Sequence, residues 1–261
     1  MGITHRISFL LVEEINLYLV LFFFIAIIIS IIGAVVGIGG GIILRPILSL
    51  FYSDLGFVSF TSAITVFFMT ISNVITGKIR GGKLHVKTVA FLAMGSIVGA
   101  FIGATLLNYI DAIVINTAFI FILFALIILV LLKNKVPVLN ISNIILQILI
   151  GIGIGILSGL FGIGGGPFYM TALILLFGLK PKEAVMDSAL IICLVTLFSV
   201  VRYCIDGYFD LSVCFYTIPG GIIGGIIGGI ITKKIKQRYV IALFCVTIFA
   251  VIINQIYVVL K

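Results

Sequence analysis

Gly37-Ile38-Gly39-Gly40-Gly41 returns as Gly162-Ile163-Gly164-Gly165-Gly166, 125 residues further along the chain. Each copy lies between a long apolar run and a short one. The 261 residues are 63% hydrophobic and 9% charged, with a mean hydropathy of +1.45. Soluble domains run at about 45–50% apolar and about 25% charged, so the solvent for this chain is a bilayer. Lipid supplies no hydrogen-bond partners. A helix broken inside it persists only where protein or a watery cavity surrounds the break. Two matched breaks in two half-chains are the pattern that marks a transporter binding site.

Apolar runs fall at about 17–36, 42–53, 58–77, 88–107 and 112–132, and again at about 143–161, 167–178, 184–204, 211–231 and 239–260. Within each half the order is long, short, long, long, long. The small residues align too. Met94-Gly95, Gly99 and Gly103 match Pro219-Gly220, Gly224 and Gly228; Ser30 and Ala34 match Gly155 and Gly159; Ser62-Ala63 matches Ser188-Ala189 after a one-residue slip. The expected fold is all-α and polytopic, with two homologous repeats. Each repeat has four long transmembrane helices and one short glycine-broken half-helix. Residues 1–136 form the first repeat and 137–261 the second, together one membrane domain, with the join at Lys133 to Asn140 around Pro137. Arg6 before the first run resembles a signal peptide, but Glu13 and Glu14 interrupt the pattern and the run is long for an h-region, so it reads as a retained span.

The cations test the topology. If the short runs cross, 12 Lys and Arg residues gather on one side against 3 on the other; if they re-enter, the division is 9 against 6. The positive-inside rule favours the first arrangement, which makes the repeats inverted and places both termini outside. Twelve residues of helix reach only about 18 Å of a hydrocarbon core of about 30 Å, so the short runs need extended chain or a thinned, watery region.

A helix starting inside the membrane presents unpaired N–H groups and a positive dipole end, which together favour an anion. The candidate substrate-binding residues are therefore Gly37, Gly39, Gly40, Gly41, Gly162, Gly164, Gly165 and Gly166 at the breaks. Arg45 joins them in the first turn beyond the first break, as do the neutral donors Thr61, Ser62 and Ser188. The bland alternatives are close helix packing for the glycines and snorkelling for Arg45. The residue matching Arg45 is Met170, so the halves are chemically unequal. Asp187 either carries a coupling proton or cation or caps a helix near a basic loop. Asn73 lines a path or glues helices together.

Other classes lack their signatures. The glycine clusters are not a nucleotide fingerprint, since G-x-G-x-x-G fails at Ile42 and Pro167. The net charge of +8 sits in short loops between apolar runs, which does not suggest nucleic acid. Cys193, Cys204, Cys214 and Cys245 form no C-x-x-C, so they read as buried free thiols. His5 and His85 read as surface histidines. Ser158 lacks the G-x-S-x-G elbow, and no metal or cofactor motif is present. The chain is not expected to be an enzyme.

Gly37 to Gly41 with Pro46 downstream and Thr61-Ser62 further on, together with Gly159-Leu160-Phe161-Gly162-Ile163-Gly164-Gly165-Gly166, resemble the TauE/SafE sulfite exporter family over nearly the whole chain. The resemblance implies a multi-pass inner-membrane transporter of small anions, often sulfur oxyanions or organosulfonates, with about eight spans. Two departures stand out. Asp187 occupies a place where the family often has threonine, and Thr171 stands where a second-half proline equivalent to Pro46 belongs. The expected function is secondary transport of a small anion by alternating access, with a coupling proton or sodium; a passive anion channel is the alternative.

Overall fold

The computed structural model describes the backbone of residues 2–106, 109–132 and 139–260, and the side chains of 19–106, 109–111, 113–132 and 139–257. The side chains of His5, Arg6, Glu13 and Glu14, together with Lys261 and residues 133–138 of the expected join, lie outside the described residues.

Among the described residues all regular structure is helical: α1 (Gly2–Val36), α2 (Gly41–Ser49), α3 (Leu55–Ile79), α4 (Val86–Leu106), α5 (Ala112–Leu131), α6 (Ile144–Phe161), α7 (Gly166–Leu175), α8 (Pro181–Ile205), α9 (Cys214–Lys234) and α10 (Gln237–Leu260). Eight of these are long and apolar enough to cross a membrane. The exceptions, α2 and α7, have 9 and 10 residues, about 14–15 Å of helix. The order long, short, long, long, long occurs twice. Helix α1 is longer than its apolar run, with backbone helical from Gly2.

Local chemistry sets the boundaries. Asp54 caps α3, its Oδ1 accepting from Gly56 N at 2.8 Å and Phe57 N at 3.2 Å. Asn143 does the same for α6, accepting from Ile145 N at 2.9 Å. Both satisfy amides that a helix start leaves free. Pro181 opens α8 and Pro167 opens α7, where the missing N–H costs nothing.

Glycine stripes set the packing. Cβ atoms built on Gly95, Gly99 and Gly103 of α4 would each lie 2.1 Å from a carbonyl oxygen of α6, those of Ile148, Ile152 and Ile156. Only bare backbone permits this approach, and the register shows the two helices running in the same direction. The equivalent pair is α9 with α1, where Gly220 and Gly224 meet the carbonyls of Phe23 and Ile27, both at 2.6 Å. One helix pair is thus built twice, each time across the halves. Gly221, Gly225 and Gly229, on the adjoining face of α9, pack internally against Thr65, Met69 and Asn73 of α3. Asn73 also donates to Ala34 O at 3.3 Å, which is the gluing role.

The connections sort to two ends. Residues 52–57 and 207–212 share one cavity, whereas Arg80, Gly82, Lys182 and Lys233 share another. Ile141 N donates to Leu176 O at 3.0 Å, tying the start of the second half to the end of α7. Helix α2 therefore runs from the glycine break to the first end and α7 runs from its break to the basic end. At the first end Arg202 is neutralised by Asp206 at 2.5 Å. Cys193 and Cys214 are buried, Cys245 is partly buried, and Cys204 is exposed, against the expectation for that thiol.

Candidate functional site

The glycine breaks are two tight turns that meet. In the first, Gly37 and Gly39 have φ of +78° and +68°, a backbone conformation that favours glycine. In the second, Gly162, Gly164 and Gly165 have φ of +60°, +74° and +73°. A Cβ on Gly166 would sit 1.5 Å from Ile38 O, and one on Gly41 would sit 2.8 Å from Ile163 O. Each hairpin tip thus presents a carbonyl to the first helical residue of the other. Gly39 and Gly164 both face the side chains of Val66 and Ile192, which close the junction from α3 and α8. All eight candidate glycines are buried. The close approach that they permit is backbone to backbone, and the junction is buried from solvent.

Two of the predicted hydroxyls reach this junction. Ser188 Oγ donates to Gly37 O at 2.7 Å, and Ser62 Oγ donates to Gly41 O at 3.4 Å. Thr61 is turned away toward α9, its Oγ1 lying 3.7 Å from Cys214 Sγ.

Arg45 projects from α2 just beyond the first tip and does not snorkel; it is 4% exposed. Its Nε and Nη2 are buried without a partner among the described residues. Leaving a buried guanidinium uncompensated is costly, so this side chain is set for a negative or strongly polar ligand. It lines a cavity of about 110 Å³ with Ser49, Tyr52, Ser53, Asn116 and Gln255. Among the described residues no carboxylate lines that cavity. Both halves contribute, since Asn116 lies on α5 and Gln255 on α10. Tyr203 of α8 donates its hydroxyl to Gly159 O at 3.3 Å. Ser59, whose Oγ has no hydrogen-bond partner among the described residues, lies beside Gly162 and near Tyr203.

At the basic end, a cavity of about 170 Å³ is lined by Asn73, Gly77, Arg80, Val185, Lys182 and Lys233, among others. Lys182 Nζ donates to Lys233 O at 2.9 Å, and Lys233 Nζ donates to Arg80 O. Val185 is the shared wall: its Cα would lie 2.6 Å from a Cβ on Gly37. The arrangement is an electropositive mouth at one end, a buried arginine toward the other, and a buried double tip between them.

Asp187 belongs to neither cavity. It is fully buried and accepts from His85 N at 3.0 Å and from His85 Nδ1 at 2.6 Å. Asp187 lies in the second turn of α8 and so does not cap that helix; it holds the backbone N–H and the ring of His85, immediately before α4. His85 is not a free surface histidine. Asn116, Gln255, Ser59 and Tyr203 were not singled out from sequence. Isolated amides within the runs of α5 and α10 were the available signal for the first two.

The family model for the sulfite exporter TauE/SafE matches residues 22–254. The chain belongs to this family. It is therefore a multi-pass membrane transporter, and not an enzyme. It is similar to the probable membrane transporter protein YdhB of Bacillus subtilis strain 168, 28% identical over 201 residues, covering 74% of this chain and 80% of that protein. It is also similar to the probable membrane transporter protein MJ0441 of Methanocaldococcus jannaschii, 28% identical over 240 residues, covering 86% and 89%. No solved structure matches it.

Proposed function

We propose that this TauE/SafE member is a secondary transporter of the cell inner membrane. It moves a small anion of the sulfur oxyanion or organosulfonate class by alternating access. The carrying observation is Arg45, a buried guanidinium whose Nε and Nη2 have no partner among the described residues, on a small cavity that no described carboxylate lines. Its planar fork suits a pair of oxyanion oxygens. Residues 1–136 and 137–261 act as inverted repeats. The opposite directions of α2 and α7, and the doubled α4–α6 and α1–α9 packing, support that reading. The glycine tips form the barrier between the Arg45 cavity and the basic cavity. Parting them, with Gly37, Gly39 to Gly41, Gly162 and Gly164 to Gly166 as the flexible elements and Ser62 and Ser188 as their clamps, lets the anion pass. Thr61 supports the same segment of α3. A closely packed backbone barrier between two cavities favours a transporter over a continuous pore.

The test is a thermal-shift screen of the purified protein against sulfite, sulfate, thiosulfate and small sulfonates. A bound ligand raises apparent stability by mass action. The expected result is a concentration-dependent rise for at least one anion that is lost in Arg45→Ala. No rise with any of them, or an equal rise in the variant, overturns the assignment of Arg45.

A further inference from the structure

The connection between α3 and α4 is fastened to α8 through a single carboxylate. Asp187 is fully buried within a spanning helix, yet its partner His85 is 39% exposed at the basic end. The carboxylate therefore meets water through an imidazole. The residues around Asp187 tie this contact to the rest of the machinery. Met186 lines the basic cavity and packs on Gly82 of the same connection. Val185 walls both that cavity and Gly37. Ser188 holds Gly37 O. Four consecutive residues of α8 thus join the loop, the cavity mouth and the first glycine break.

The charged groups around the pair come from several elements. Glu183 lies one turn earlier on α8. Lys182 of α8 and Lys233 of α9 line the neighbouring cavity with Arg80. Lys83 and Lys87 flank His85 in sequence. From α1, the neighbour is the uncharged Gly37.

We propose that His85 and Asp187 form a proton site that latches the α3–α4 connection over the basic cavity and, through Ser188, biases the first glycine break. With the imidazole protonated, Nδ1–H donates to Oδ2 in a charge-assisted bond, the strong form of this contact. Loss of that proton to water at the basic end removes the positive member of the contact and leaves a buried carboxylate poorly compensated. The latch is therefore tight on the acid side and loosens as pH rises. Its link to transport rests on the function proposed above; the latch itself needs no transported anion.

The chain contains no tryptophan, so one can be introduced as a sole reporter. Leu84→Trp places it beside His85 on the connection, and Phe209→Trp places a control at the opposite end. In nanodiscs without added anion, the emission of the L84W protein should shift to the red between about pH 5 and 9, while that of the F209W protein stays constant. Adding H85Q, which keeps a donor that does not titrate, or D187N should abolish the shift. A flat L84W signal, the same transition with H85Q, or a transition shared by F209W overturns the latch. A parallel measurement of sulfite counterflow against pH separates this claim from the transport reading. A fluorescence transition without counterflow at any pH keeps the latch and removes the transport role; counterflow with a flat L84W signal does the reverse.

Discussion

Gly166→Ala is the most demanding change that the fold can be asked to absorb. The new Cβ would lie 1.5 Å from Ile38 O and 2.0 Å from Ile38 C, whereas ordinary contact begins at 3.4 Å. The two tips would have to part by about 2 Å. The obstructing atoms are backbone, and that backbone is fixed: Ile38 N donates to Gly33 O at 3.1 Å, and Ser188 holds the neighbouring Gly37 carbonyl. Overpacking of a tight interior costs about 1–3 kcal/mol and occasionally more. A rigid backbone obstacle puts this case at about 3 kcal/mol or above. Gly41→Ala meets Ile163 O at 2.8 Å and the flexible Val66 side chain at 3.1 Å, so its cost lies lower in that range. Gly153→Ala, on an exposed face of α6 with nothing within 4 Å, should gain about 0.5–1 kcal/mol from helix propensity. Equilibrium unfolding in mixed micelles, followed by circular dichroism, should rank stability as Gly153→Ala, wild type, Gly41→Ala, Gly166→Ala, from most to least stable. A Gly166→Ala protein as stable as Gly153→Ala would refute the tip-to-tip contact.

Ser188→Ala removes the donor to Gly37 O and Val185 O, so it should cost about 0.5–1.5 kcal/mol and speed amide exchange at residues 37–41. Unchanged exchange there would show that Ser188 does not clamp the break. Asp54→Ala deletes the cap of α3 and should cost about 0.5–2 kcal/mol, read as a lower midpoint in the same unfolding assay; an unchanged midpoint would contradict the capping role.

Much of the architecture was legible because membranes make composition informative. Apolar runs separated by Lys, Arg, Gly and Pro fixed the number and order of helices. The period-four glycines of α4, α6 and α9 announced close packing without naming its partner. The site was legible only in part. Gly37 to Gly41 and Gly162 to Gly166 were recognisable as breaks, but sequence alone does not tell a carbonyl from a ligand as the neighbour of a bare Cα. Arg45 stood out as a cation at membrane depth, whereas Asn116 and Gln255 joined it only through folding of the two halves together. The His85–Asp187 pair spans 102 positions and has no local pattern, so Asp187 stood out alone while His85 looked like an ordinary surface histidine.

The central claim is that a small anion passes between the two halves by way of Arg45. Counterflow of labelled sulfite in proteoliposomes tests it most directly, with wild type and Arg45→Ala reconstituted at equal folded levels. The account predicts saturable, trans-stimulated uptake by the wild type that falls to the level of empty liposomes in Arg45→Ala. Equal counterflow in the two proteins would contradict it, as would unitary currents through the wild type in place of counterflow.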